Sequence, residues 1–396
     1  MEKVMAVNAG SSSLKFKLYE MPEEKVLCSG NAERIGHEDG IFTIKWNGES
    51  EKKVLPILNH ADAVNLVVNA MLEKGVLKNM NEIKAVGHRV VQGGKYFSKS
   101  ELFNKDTEDK IESLIPLAPL HNKAHLIGFR AFKKILPDVT NVAVFDTAFH
   151  QTMEEEDYVF PIPYELTTKY DCRRYGAHGT SHKYLSVEGE KYLKNSKHHR
   201  IISCHIGSGA SITAIKDGKC IATSMGLTPL GGIMMGTRTG DLDPSVMNYL
   251  CACTGKNVEE MYQIFNKQSG FLGVSGISND SRDVLAACEK GDKRAILANK
   301  LFIRRVADFI GQYFVRLGGV DLIIFSAGIG ENSAITRKQI VDEIKESLEV
   351  EIDEKLNETI HGSEAIISTK TSKVLVAVIP TDEEVMIARD TYSFLK

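Results

Sequence analysis

The stretch "IISCHIGSGASITAIKDGKCIATSMG", residues 201–226, runs from an apolar strand through a glycine-serine turn into a second strand. Residues 3–20, "KVMAVNAGSSSLKFKLYE", repeat that plan. Val4 to Val7 are mostly apolar, a small polar turn follows, and Leu14, Phe16 and Leu18 then alternate with Lys15 and Lys17. Asn8 and His205 hold comparable places, 205 − 8 = 197 residues apart, about half of the 396-residue chain. The same unit opening each half reads as an internal duplication, and a chain of this length favours two domains.

Between these openings the pattern alternates. Residues 60–76, "HADAVNLVVNAMLEKGV", and 292–320, "DKRAILANKLFIRRVADFIGQYFVRLGGV", carry apolar residues at helical spacing, the second stopping at Gly318-Gly319. Short apolar strands precede "VGHRVVQGG" (86–94), "VAVFDTAFHQT" (142–152), "SAGIGEN" (326–332) and "PTDEE" (380–384). Strands alternating with helices predict an α/β fold, whose ligands sit at the carboxyl ends of the strands. The polar clusters fall there.

Composition bounds the function. The chain is 43% apolar and 26% charged, which is globular, and its net charge of −3 gives no global basic field for nucleic acid or an anionic membrane. No apolar run has the length of a signal peptide or a membrane span. The seven cysteines form no CxxC pair, so reduced thiols in a cytoplasmic protein are expected.

Any anion site must therefore be local. The two small turns suit phosphate, because glycine and serine let backbone N–H groups approach it and Lys15 adds charge. A tight hairpin needs the same residues, and neither turn continues into a Walker A lysine. "SAGIGEN" reads as a glycine turn able to cradle a nucleotide, without dinucleotide spacing. Arg89 and Arg238, each among glycines near a strand end, suit a carboxylate or phosphate, the alternative being ordinary salt bridges. "RRYGAHGTSH" (173–182) reads as an anion-binding loop carrying Arg173, His178, Thr180 and His182, too polar for a core strand and too glycine-rich for a stable helix. His178 and His182 have zinc-like spacing, but the glutamate of HExxH is absent and a phosphoryl donor reads better. Asp146, Glu383 and Asn8 are candidates for Mg²⁺, Glu383 and Glu384 being equally suited to a helix N-terminus.

The strings "NAGSSSLKF", "GHRVVQGG", "LAPLHN", "FDTAFHQT", "RRYGAHGTSH", "MGTRTGDLDP", "SAGIGEN" and "PTDEEVMIARDT" resemble the acetate kinase family, in order and along essentially the whole chain. The resemblance implies two duplicated actin-like (ribonuclease H-like) domains with a central cleft. It implies an N-terminal domain of 1–148 completed by 382–396, and a nucleotide-binding domain of 149–381. It implies reversible transfer of the ATP γ-phosphate to acetate, with Mg²⁺ or Mn²⁺, by a cytoplasmic homodimer. Residue by residue, Asn8 and Glu383 would hold the metal and Lys15 would approach the phosphates. Arg89 would hold the acetate, Asp146 is the family's catalytic acid, and His178 and Arg238 would act on the transferring phosphoryl group. His205, Ile206, Gly207, Ser208 and Gly209, then Asp280, Ser281 and Arg282, then Gly328, Ile329, Gly330, Glu331 and Asn332 would surround ATP. Val91, Leu120 and Pro229 would line the methyl pocket.

Acetate is already ionised at neutral pH, so its attack needs no base, and Asp146 is expected to orient Arg89 or a metal-bound water. Against the family's pattern, Ala177 stands where Phe is common. That leaves room in the acyl pocket and raises a propionate or short-chain acyl kinase as the alternative. Ser208 replaces Asn, Gly231 replaces Glu and Lys123 replaces Pro. A non-catalytic actin-like nucleotide-binding protein is the reading from another class, and retention of Arg89, Asp146, His178 and Arg238 counts against it.

Overall fold

The computed structural model describes residues 1–119, 121–194 and 197–396. The chain divides into two compact units: Met1–Phe149 with Asp382–Lys396, and His150–Thr381.

The first unit holds an eight-stranded sheet. Its strands are β1 (Glu2–Ala9), β2 (Ser13–Met21), β3 (Lys25–Glu33), β4 (His37–Trp46), β5 (Glu49–Ile57), β6 (Ile83–Val90), β7 (Glu101–Leu102) and β8 (Thr140–Phe145), in the order β5-β4-β3-β2-β1-β6-β8-β7. Val4 to Val7 in β1 are buried, as suits a central strand lying between antiparallel β2 and parallel β6. In β2, Leu14, Phe16 and Leu18 are buried while Lys15 faces out, the alternation its sequence shows. Helix His60–Glu73 is capped by Asn59, whose side chain accepts from Asp62 N. It buries Val64, Val67, Val68 and Met71 in the apolar cluster built on Met5, Leu14, Phe16 and Phe132.

The second unit holds a six-stranded sheet: β9 (Arg200–Ile206), β10 (Ala210–Lys216), β11 (Lys219–Thr223), β12 (Leu322–Ser326), β13 (Ala365–Ile366) and β14 (Leu375–Val378), in the order β11-β10-β9-β12-β14-β13. Helix Lys293–Leu317 starts at its Asp292 cap and stops at Gly318, φ 69°. It buries Phe302, Val306, Ile310 and Tyr313 against that sheet's core.

The duplication read from the sequence is present in the topology. In β3-β2-β1-β6-β8 three antiparallel strands pass into two parallel ones, and β11-β10-β9-β12-β14 repeats the order and the sense. Among the described residues no helix is long and apolar enough to cross a membrane.

Two local expectations are corrected. "RRYGAHGTSH" is not loop throughout, because a helix, Gly179–Glu190, begins inside it. Ser181 and His182 in its first turn are buried and bonded to His205, Ser203 and Ser211, and these tertiary bonds override the weak propensity of glycine and small polar residues. "SAGIGEN" is not an open turn either: Ala327–Asn332 form a short helix entered through Ala327 at φ 62°. Glu331 folds back to accept from Ala327 N at 2.7 Å, closing that turn.

Candidate active site

In the first unit the carboxyl ends of three neighbouring parallel strands supply one constellation. Asn8 lies at the end of β1, Arg89 at the end of β6, and Asp146 directly follows β8. Helix Glu383–Tyr392, capped by the Asp382 side chain accepting from Val385 N, brings Glu383 to the same place. It crosses β6 at Gly87, where a Cβ would stand 2.0 Å from Thr391 Oγ1, so only glycine permits the approach.

Arg89 is the hub. Nη2 donates to the buried carboxylate of Asp146, Nη1 lies 3.5 Å from Asn8 Oδ1, and Nε is 4.0 Å from Glu383 Oε2. Its Nε–H is buried and has no hydrogen-bond acceptor among the described residues. Burial pulls the guanidinium pKa down, but Asp146, Glu383 and Glu384 outweigh it and hold the group above its ordinary range. The Glu383 carboxyl is pushed up to about 7, first by burial and then by Asp146 and Glu384, with Arg89 and Lys15 opposing. Lys15, exposed on β2, is paired in register with Asn8.

Two histidines that the sequence did not single out pin the first small turn. His60 Nε2 donates to Gly10 O at 2.8 Å, and His125 Nδ1 to Ala9 O at 2.9 Å. Each is far in sequence from the turn it holds, so no local pattern points to it.

In the second unit the turn Gly207–Gly209 joins β9 to β10. A Cβ at Gly209 would touch Arg238 Nη1 at 3.4 Å and His178 Nε2 at 3.6 Å, so the cation and the imidazole flank this turn. Arg238 is largely buried and donates to Pro229 O at 3.3 Å and Met235 Sδ at 3.6 Å, and no described carboxylate pairs with it. Burial lowers its pKa. A buried guanidinium whose described partners are neutral carries a charge that an anion could balance. His178 sits at φ 60°, a left-handed conformation rare outside glycine and common at functional sites. Its ring stacks on His205 at 4.2 Å, and its Nδ1 is 2.9 Å from Ser211 Oγ. His182 Nε2 reaches the same hydroxyl at 2.7 Å, so the two histidines share a serine and not a metal.

A cavity of about 540 Å³ opens beside the turn, within the range of small-molecule sites. Gly207 and Ser208 form one wall; Asp280, Ser281 and Arg282 a second; Gly328, Ile329 and Asn332 a third. Asn279 and Ser333 line it as well and were not foreseen, each being the flank of a segment that was. Asp280 caps helix Ser281–Glu289 and pairs with Arg282, which draws its carboxyl down to about 2. Not every expected residue faces this space. Ile206 is core, and Glu331 braces Ala327 N and Thr381 N.

A further residue escaped the sequence reading. Arg337 is fully buried, and its guanidinium donates to Gly330 O, Glu331 O, Asn357 Oδ1, Asn357 O and Ile360 O. It ties the last carbonyls of the Ala327–Asn332 helix to a distant segment.

Other expectations fare differently. Arg173 stands over the Tyr158 ring, 3.4 Å from its centroid, and its buried Nη2 has no hydrogen-bond partner among the described residues. Arg174 Nη1 is taken by the carbonyls of Thr223, Ser224 and Met225. Ala177 is buried in the second unit's apolar cluster, so the room an alanine leaves there is core space. Val91 is buried in the first unit, and Leu120 lies outside the described residues. At Gly231 a Cβ would stand 3.2 Å from Asp241 Oδ1. Lys123 is exposed in the first turn of helix Asn122–Ile135, a position open to proline as well.

The sequence profile of the Acetokinase family matches residues 3–389. The chain is 51% identical to the acetate kinase of Macrococcus caseolyticus over 100% of this chain and 99% of that one. In structure it resembles Porphyromonas gingivalis acetate kinase, with a TM-score of 0.95, 43% identity and both chains fully covered. It also resembles a propionate kinase from Francisella tularensis, with a TM-score of 0.92, 44% identity, and 99% and 100% of the two chains covered.

Proposed function

The chain belongs to the acetokinase family, and from that membership we infer an ATP:acetate phosphotransferase with the duplicated actin-like fold. It moves the γ-phosphate of ATP to acetate, giving acetyl phosphate and ADP, reversibly. Full-length identity of 51% to an acetate kinase is the observation that carries this activity. The propionate alternative rested on Ala177, which lies in the core cluster.

The site assignments extend the reading. A bond forms between an acetate oxygen and the γ-phosphorus as the bond from that phosphorus to the β–γ bridging oxygen breaks. No proton moves, because acetate attacks as its anion. What the step requires is alignment and relief of repulsion between two anions. Arg89, fixed by Asp146, receives the acetate carboxylate on its remaining donor edge. The Gly207–Gly209 turn and the cavity beside it receive ATP. Arg238 and His178 take the γ-phosphoryl oxygens, where charge shifts as the bond breaks. Among the described residues no carboxylate pairs with Arg238, which supports this role, since none must be displaced first.

The residues present also fit a hard divalent cation, Mg²⁺ or Mn²⁺. Asn8 Oδ1 and Glu383 Oε2 face one guanidinium, and burial, which first raises the Glu383 pKa, is a cost that a bound cation would offset. Two protein oxygens, with water and phosphate oxygens completing the shell, suit Mg²⁺. When bound, it neutralises phosphate charge.

The protein is further read as a homodimer. Helix Ser245–Thr254, "SVMNYLCACT", is mostly apolar yet buries no residue, and Tyr249 is 67% exposed. A second copy of this chain is the partner that such an exposed apolar face suits in a symmetric dimer. Seven unpaired cysteines, three of them buried, accord with the reducing cytoplasm. The activity is tested by trapping acyl phosphate with hydroxylamine in the presence of ATP, Mg²⁺ and acetate, propionate or butyrate. Acetyl hydroxamate as the main product is expected, and no product with any acid would refute the reading.

A further inference from the structure

A chain of hydrogen bonds runs from the interior of the second unit to His178. Ser203 Oγ is 2.9 Å from His182 Nδ1, His182 Nε2 is 2.7 Å from Ser211 Oγ, and Ser211 Oγ is 2.9 Å from His178 Nδ1. The other ring nitrogen of His178 faces Gly209 of the phosphate turn. Ser203, His182 and Ser211 are fully buried, so water does not compete for these bonds.

We propose that Ser211 and His182 are positioning residues that fix which nitrogen of His178 carries the proton when a phosphoryl group is present. The argument is a count of protons. Ser211 has one hydroxyl proton and two ring nitrogens beside it, so it donates to one ring and accepts from the other. If it donates to His178 Nδ1, that ring carries its proton on Nε2, which then donates to the anion. His182 must in turn donate from Nε2 to Ser211, and its bare Nδ1 takes the proton of Ser203. Burial keeps His182 neutral, so this ring has one proton to place. In the reverse direction every bond still forms, but a neutral His178 turns a bare Nε2 lone pair toward the phosphoryl oxygens, which repel it. The arriving anion therefore selects the first direction, and the chain transmits the choice to His182. The His205 ring stacked on His178 fixes its plane, while Ser211 fixes its polarity. Neither Ser211 nor His182 touches substrate, and both act through His178.

The proposal rests on the phosphoryl role read above for His178. A double-mutant cycle tests it on the full-length protein. Ser211→Ala should lower kcat about three- to tenfold, the worth of one neutral hydrogen bond, with the ATP KM unchanged. In a His178→Ala background the same change should cost nothing further. ¹⁵N-histidine spectra with ADP, Mg²⁺ and orthophosphate should show His178 in one tautomer, protonated on Nε2, in the wild type, and a mixture in Ser211→Ala. Equal losses in both backgrounds, no loss in either, or an unchanged His178 spectrum would overturn it. If the wild-type protein made no acyl phosphate, the function reading would fall on its own, and the spectra alone would decide the relay.

Discussion

Arg89 and Asp146 form an ion pair at the ends of neighbouring parallel strands, and the Asp146 side chain is only 1% exposed. The acid is thus committed to the guanidinium. Breaking a buried pair by removing one charge costs about 3–5 kcal/mol, and 1.36 kcal/mol is tenfold in rate. Asp146→Asn should therefore lower kcat/KM for acetate about 100-fold or more, with a higher acetate KM as Arg89 loses its placement. Near-full activity in that variant would remove the orienting role.

Arg238 should behave differently in kinetics. Among the described residues its Nη1 has a carbonyl and a thioether as partners and no carboxylate, which leaves its charge available for the phosphoryl role proposed above. Losing a donor aimed at transition-state charge costs about 100- to 1,000-fold in kcat. Arg238→Ala should show that loss while the acetate KM changes less than about threefold. A large rise in acetate KM with kcat intact would assign Arg238 to the acetate instead.

Acid should unfold this protein through its buried histidines. Burial lowers His88 and His150 to about 4, His125 to about 3, and His182 well below its ordinary value. The unfolded chain protonates each near 6.5 while the folded one does not, so below that pH the unfolded state binds more protons. Stability falls as pH drops from about 6.5 toward 4, by up to about 1.4 kcal/mol per pH unit per histidine, and above 6.5 these groups contribute no slope. Urea unfolding at a series of pH values measures it. A midpoint unchanged from pH 7 to 5 would contradict the burial of these rings as neutral groups.

Arg337 should be a stability residue with a nucleotide-binding phenotype. Its guanidinium satisfies carbonyls of Gly330, Glu331, Asn357 and Ile360 inside the second unit. Arg337→Met leaves them unpaired, a loss of about 3–5 kcal/mol by urea unfolding, and weakens ATP binding because the Ala327–Asn332 helix loses its tie. A loss under about 1 kcal/mol would mean the carbonyls find other donors.

The exposed apolar helix gives a fifth prediction. Tyr249→Asp should shift the protein from dimer to monomer in analytical ultracentrifugation, without changing the circular dichroism spectrum. A dimer of unchanged affinity would place the interface elsewhere.

The fold was legible where the pattern is periodic. Leu14, Phe16 and Leu18 announce β2, and Gly318 announces the end of the long helix, because each depends on local geometry alone. The helix beginning at Gly179 was not legible, since its first turn is held by Ser203, Ser211 and His205 from another part of the chain. The same holds within the site. Arg89 and Arg238 declare themselves by charge among glycines. His60 and His125 do not, because they hold carbonyls tens of residues away, and Arg337 does not, because it joins the nearby Gly330 O to the more distant Asn357 O and Ile360 O. For Arg173 the converse holds: its charge is visible in the sequence, but the Tyr158 ring beneath it is not.

The central claim is that an acetate oxygen bonds to the transferring phosphorus, and an isotope measurement tests it most directly. The protein is incubated with ATP, Mg²⁺ and acetate carrying ¹⁸O in both carboxylate oxygens, and the product is cleaved with hydroxylamine at its carbonyl carbon. The phosphate released should carry one ¹⁸O atom, donated by acetate when it attacked phosphorus. Phosphate free of ¹⁸O would show that acetate never formed a bond to phosphorus.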